Sequence, residues 1–199
     1  MTQKTAEVET ISLAGDKDFF TKVSSRTFEF YLSGEVKEPE YYIEWFDTIR
    51  NAGPDDDIII YINSMGGNLD TAIQFMRVIA ESQAHITTSA EGSCMSAATV
   101  IFLQGSSLQI TPFSLFMFHN YSGGAFGKGG EMYDNIMFER AWSKDFLHEV
   151  YKDFLTEDEI NSMLENKDIW MGHKEVEKRC QNMLKAHMAR QAQENELED

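Results

Sequence analysis

Five consecutive residues, Ile58-Ile59-Ile60-Tyr61-Ile62, do most to limit what this chain can fold into. The run follows three aspartates and precedes a polar, glycine-containing stretch, Asn63 to Asn68. A short, β-branched apolar run bounded by turn residues reads as a strand. Because neither face is polar, it reads as a strand buried on both, as in a parallel sheet. Behind it, Leu69, Ala72, Ile73, Met76, Ile79 and Ala80 mark one face of a helix. Ile86 to Ala90 is a second short strand, Gly92 opens a small-residue turn, and Ala97 to Leu103 reads as a buried helix. Leu115 to Phe118 is a further strand that ends at His119. Strand, turn and helix recurring in this order predict an α/β fold with crossover connections.

The flanking segments fit around that centre. Residues 1–25 lack strong periodicity and read as an arm. Thr27 to Leu32 alternates as a strand, and Tyr42 to Arg50 has helical spacing at Ile43, Phe46 and Ile49. Residues 121–130 form a glycine-rich loop. From Glu131 to about Val150 the pattern is helical, with more apolar surface than one small core needs, which points to a subunit contact. Thr156-Glu157-Asp158-Glu159 has the spacing of a capping box and starts another helix. Residues 174–190 read as helical and 191–199 as an acidic tail. Neither a repeat nor a dividing linker is visible, so residues 26–190 are expected to form a single domain.

Charge and composition exclude several functions. With 33 acidic against 17 basic side chains the net charge is -16, which repels a phosphate backbone and argues against nucleic-acid binding. No apolar run reaches the roughly 18–20 residues a membrane span needs, and Met1 to Asp16 has no apolar h-region of a signal peptide. The two cysteines, Cys94 and Cys180, lie in no metal-binding spacing and suggest a reducing cytoplasm rather than a disulfide framework. No phosphate-binding loop is present, and no metal or organic cofactor is called for.

Four local features could carry chemistry, and each also has a plain structural explanation. Ser96 follows a buried strand and opens a helix among small residues. It is either a nucleophile beside unpaired N–H groups or an N-cap. The esterase elbow G-x-S-x-G is absent. His119 ends a strand, where α/β proteins collect ligands, or is a hydrogen-bonded core histidine. Gly66-Gly67 lets the backbone approach a ligand, or simply makes a tight turn. Asp168, beside Ile169 and Trp170, is a carboxylate that could orient an imidazole, or a surface acid.

Taken together these blocks resemble a known family. Tyr61-Ile62-Asn63-Ser64-Met65-Gly66-Gly67 is similar to the YINSPGG block of the proteolytic subunit of the Clp protease, a chamber-forming peptidase with a crotonase-like fold of repeated strand-strand-helix units and a protruding helical handle. Gly92-Ser93-Cys94-Met95-Ser96 resembles the family's G-x-A-A-S block, and Met117-Phe118-His119 with Gly123-Gly124 resembles its M-I-H block with trailing glycines. Asp168 follows His119 where the family has its third triad member. The likeness spans residues 26–175.

The resemblance implies a serine endopeptidase with the triad Ser96, His119 and Asp168. It implies an oxyanion hole from the N–H groups of Gly67 and Ala97, and peptide binding along Gly66, Asn68, Leu69, Ser122, Gly123 and Gly124. It also implies a handle over about residues 131–165, stacked heptameric rings of this chain, unfolded polypeptide substrates and an ATP-dependent AAA+ unfoldase as partner. Met65 stands in place of the family's proline, and Cys94-Met95 in place of two alanines. A silent ring subunit that regulates an active paralogue and a crotonase-type acyl-CoA enzyme are the alternatives.

Overall fold

In a computed structural model, which describes residues 3–8 and 23–198, one seven-stranded sheet organises the chain. Its strands are β1 (Gln3–Val8), β2 (Val23–Val36), β3 (Asp57–Gly67), β4 (His85–Met95), β5 (Ser107–Ile110), β6 (Leu115–Phe118) and β7 (Ile169–Gly172). Helices α1 (Ile43–Asn51), α2 (Leu69–Glu81) and α3 (Ala97–Phe102) connect the central strands. Helices α4 (Gly129–Tyr151), α5 (Glu157–Leu164) and α6 (His173–Glu198) follow β6. The order is β1-β2-β3-β4-β6-β7, with β5 paired to β4 off this path. Pairing is parallel from β2 through β6 and antiparallel at the two edges, β1 with β2 and β7 with β6. No helix among the described residues is long and apolar enough to cross a membrane.

Strand β4 is long enough to take two partners in succession. Residues 87–90 pair with β5 and residues 93–95 with β6. The turn between these partners is fastened to one carbonyl: the Thr111 N–H and the Thr111 and Ser114 hydroxyls all donate to Ala90 O. β3 and β4 slip register between Ile62 and Ser64, and the Asn63 side chain fills the irregularity by accepting from Ser93 N–H. The bare Gly92 leaves that side chain its place, since a Cβ would lie 2.6 Å from Asn63 Oδ1.

Several elements differ from the sequence expectation. β3 is not buried on both faces: Ile58, Ile60 and Ile62 are fully buried, but Ile59 and Tyr61 are half-exposed. Tyr61 instead stacks on the exposed Tyr31, with ring centroids 4.8 Å apart. The turns expected at Asn63–Asn68 and at Gly92 are strand as far as Gly67 and Met95, since neighbouring strands satisfy their backbone groups. The buried face of α2 is Thr71, Ala72, Phe75, Val78 and Ile79, leaving Ile73 and Met76 partly buried and Ala80 exposed. Phe75 sets this rotation by packing edge-on against Phe46 and Tyr42.

The expected arm contains a strand, residues 3–8, paired with β2, which itself begins at Val23; residues 1–2 and 9–22 of that segment lie outside the described residues. The expected handle, 131–165, is two helices broken at 152–156, where Phe154 and Leu155 turn into the core. The capping box at Thr156 and Glu159 forms as its spacing predicts. The expected tail is helical to Glu198.

Candidate active site

The C-terminal ends of three adjacent parallel strands, β3, β4 and β6, meet at one place, the usual position of a site in an open α/β sheet. Ser96 stands between β4 and α3, and His119 directly follows β6. Pairing of Met95 with Met117 brings these two strand ends into step. His119 Nε2 and Ser96 Oγ are 2.6 Å apart, and both residues are half-buried. With Nε2 unprotonated, the serine hydroxyl donates to it.

Ser96 has φ 54° and ψ −129°, a conformation that non-glycine residues rarely take. Such a residue carries strain of order 1–3 kcal/mol and persists only where its surroundings fix it. Here its N–H donates to Met117 O at 2.8 Å, while its C=O accepts from both the N–H (2.9 Å) and the hydroxyl (2.7 Å) of Thr99. Behind Thr99, its hydroxyl oxygen lies 2.7 Å from that of the fully buried Tyr151. Burial raises the Tyr151 phenol well above its ordinary range, so it is a neutral hydroxyl. Gly66 completes the fit: it has φ +93°, and a Cβ there would stand 2.5 Å from Ser96 Cβ.

Gly67 is as tightly placed, since a Cβ on it would run into Val36 O. The next N–H, of Asn68, donates to Val36 O. Asn68 also caps α2, its Oδ1 accepting from Thr71 N–H and its C=O from Ala72 N–H. Asn68 N–H, C=O and Oδ1 are thus engaged within the chain, and Gly66 N–H donates to Ser64 Oγ. Ala97 opens α3, where first-turn N–H groups have no acceptor inside the helix.

Beside Ser96 lies a cavity of about 230 Å³. Gly67, Asn68, Leu69, Ala97, His119 and Ser122 line it together with an apolar wall of Val100, Trp142, Phe146 and Leu147. Trp142 and Phe146 stack with centroids 5.0 Å apart. A shallower cleft runs from the same serine past Met65, Gly66 and Ser122. Gly123 and Gly124 are exposed and line a third hollow, which shares Ser122 with the other two. Met65, which stands in place of the resembled family's proline, is the residue skipped in the β2–β3 register and points outward.

Asp168 lies four residues past the end of α5 at Leu164. It precedes β7 and is exposed, and no hydrogen bond among the described residues joins it to His119. The antiparallel register of β6 and β7 pairs Phe118 with Ile169. Continued by one residue, the same register matches His119 with Asp168, and side chains so matched share a side of the sheet.

Sequence reasoning missed Thr99, Tyr151 and the apolar wall. Thr99 had a local signal, a hydroxyl residue three positions after a strained turn. Tyr151 had none, being one apolar position among many in a long helix.

A family model described as Clp protease matches residues 17–179. Among solved structures, a mutant of ClpP1 from Listeria monocytogenes matches with a TM-score of 0.61 and 18% identity, covering 76% of this chain and 86% of that one. At that identity the likeness speaks for the fold.

Proposed function

Because the chain belongs to the Clp protease family, we propose that it is a serine-type endopeptidase subunit whose nucleophile is Ser96. The observation that carries this reading is the 2.6 Å contact of Ser96 Oγ with His119 Nε2, made by a serine in a strained turn at the strand ends. Ser96 Oγ bonds to the scissile carbonyl carbon as His119 Nε2 takes the hydroxyl proton. The oxyanion accepts from the N–H groups of Gly67 and Ala97. With Asn68 N–H turned to Val36, strand alternation directs the preceding N–H the other way, which favours this role. The C–N bond then breaks, and His119 returns the proton to the leaving amine. Water attacks the acyl-enzyme with His119 as base, and Ser96 is released. Asp168 accepts from His119 Nδ1–H and stabilises the imidazolium.

The peptide lies along Gly66, Gly67, Leu69 and Ser122 to Gly124, held mainly through its own main chain. The adjoining cavity receives an apolar side chain, and Asn68 shapes the cleft. Such recognition is indifferent to most of the sequence, which suits unfolded polypeptides as substrates. The handle reading draws on α4, which buries only Ser143, Leu147 and Tyr151 while exposing Tyr133, Ile136, Met137, Phe138 and Trp142. A second ring of this chain would cover that surface, and a ring chamber fed by an AAA+ unfoldase would shield the cell from an unselective peptidase. Cys94 and Cys180 are both free and buried, in keeping with a cytoplasmic setting.

In a preparation that light scattering measures as a ring oligomer rather than a monomer, Ser96→Ala should abolish peptide cleavage and labelling by a fluorophosphonate probe. Retained labelling would sink the assignment. Intact wild-type rings that never label would favour a silent subunit.

A further inference from the structure

The strained turn at Ser96 is held by a line of hydroxyls that ends deep in the core. Thr99 has one hydroxyl proton, and its Oγ1 donates that proton to Ser96 O at 2.7 Å. The 2.7 Å contact between Thr99 and Tyr151 must therefore run the other way, with the phenol donating to Thr99 Oγ1. Tyr151 is 2% exposed, and its ring packs edge-on against Phe118, the residue before His119. It comes from the last turn of α4, far along the chain from the strand ends it supports. Its hydroxyl has one proton to give, and Thr99 is where it goes.

We propose that Thr99 and Tyr151 are positioning residues for the reaction, acting as a relay that fixes the Ser96 carbonyl and so the direction of Ser96 Oγ. The inference rests on the reading of Ser96 as the nucleophile. Thr99 contributes two donors to one carbonyl, its N–H and its hydroxyl. The N–H bond belongs to the helix backbone and survives any side-chain change. The hydroxyl bond depends on the Thr99 rotamer, which Tyr151 selects by donating to the same oxygen. Neither side chain needs to touch the reacting atoms. Their effect reaches the chemistry through the orientation of one serine, for which an error of about 1 Å costs roughly a hundredfold in rate.

The test uses the assembled protein with a fluorogenic peptide and four variants: Tyr151→Phe, Thr99→Val, Thr99→Ser and the double variant Thr99→Val/Tyr151→Phe. Thr99→Val should lower kcat roughly ten- to hundredfold, and Tyr151→Phe by a smaller factor. KM should change far less than kcat, since Thr99 lines no part of the cavity and Tyr151 does so while only 2% exposed. The midpoints of the pH profile should stay as in the wild type, since His119 is untouched. Thr99→Ser keeps the hydroxyl and should stay near wild-type kcat. Thr99→Val leaves a buried phenol without its acceptor and should lower the melting temperature. The double variant removes both partners and should regain stability without regaining rate.

Wild-type kcat in both Thr99→Val and Tyr151→Phe would overturn the relay, as would a double variant that recovers rate together with stability. If Thr99→Val fails to fold, Tyr151→Phe decides alone, and an unchanged kcat overturns the relay. Ser96→Ala run alongside separates the two levels. If it still labels, the nucleophile assignment fails and the relay with it. If it is dead while the relay variants keep wild-type kcat, only the relay fails.

Discussion

Ser96 and Asp168 are offered for the same triad, yet they are held by different amounts of structure. Ser96 sits at an interior strand end. Its N–H is bound to β6, its C=O to α3, and its Cβ lies against a glycine of β3. Asp168 sits one residue before an antiparallel edge strand, exposed, and among the described residues only the register of β6 and β7 aims it. A position fixed from three sides can carry strain, because no single relaxation releases it. A position fixed from one side takes its side-chain geometry from whatever else arrives. In this fold Ser96 is therefore preset within one chain, whereas Asp168, among the described residues, is set by backbone register alone.

The most damaging way to break the contrast is at Gly66. Gly66→Ala adds a Cβ 2.5 Å from Ser96 Cβ and 2.7 Å from Met95 O, at a φ of +93° that alanine resists. One of the two strand ends must move. Probe labelling should fall by roughly a hundredfold or more, and stability by about 2 kcal/mol or more. Substitution at Gly123, where a Cβ meets nothing within 4 Å, should leave the fold's stability within about 0.5 kcal/mol. Equal melting temperatures for Gly66→Ala and the wild type would mean that the close approach is not constraining.

Asp168→Asn is the next largest test. A neutral amide in the triad position misdirects the imidazole tautomer, so kcat should drop by roughly 10²–10⁴-fold with KM little changed. A loss of less than about fivefold would leave a Ser96–His119 dyad and remove Asp168 from the reaction. Because Asp168 is exposed, the substitution should barely alter the melting temperature, unlike that at Gly66.

The same contrast decides what the sequence disclosed. The strand at Ile58–Ile62, the helix after Asn68 and the capping box at Thr156 follow local rules, and the chain obeys them. Ser96 and His119 were legible as strand-end residues, but their proximity came from the family blocks rather than from any local pattern. The short strands β5 and β7 went unread because four residues, SLQI or IWMG, carry too little alternation to distinguish them from loops. Asn63–Gly67 and Gly92–Met95 have turn composition, and neighbouring strands override it. Tyr151 went unread because its importance is a hydrogen bond made across the core, to a residue 52 positions away.

A smaller effect tests the contrast at the ends of the sheet and helices, where charge rather than packing holds the chain. Asp56 takes four hydrogen bonds: from Arg26 N–H, Nε and Nη2, and from Gly53 N–H. Its side chain is only 5% exposed, and the Arg26 guanidinium is the main cause that holds its pKa down to about 2. Glu159, paired with Arg179 from α6 at 2.7 and 2.9 Å, is likewise held at about 2, chiefly by that arginine, but is a quarter exposed. A carboxylate with a depressed folded-state pKa contributes its full stabilisation above the ordinary carboxylate range. That contribution fades as pH falls through about 4 and is lost once pH passes below about 2. Asp56→Asn should thus cost roughly 1–3 kcal/mol at neutral pH, and Glu159→Gln less, because the Glu159 carboxylate is the more exposed of the two and water screens it more. Denaturant titrations from pH 7 to pH 2 should show each variant's deficit shrinking toward zero over the acid limb, with Asp56→Asn starting from the larger one. A deficit that stays constant down to pH 2 would mean that these carboxylates stabilise the fold through shape, and not through charge.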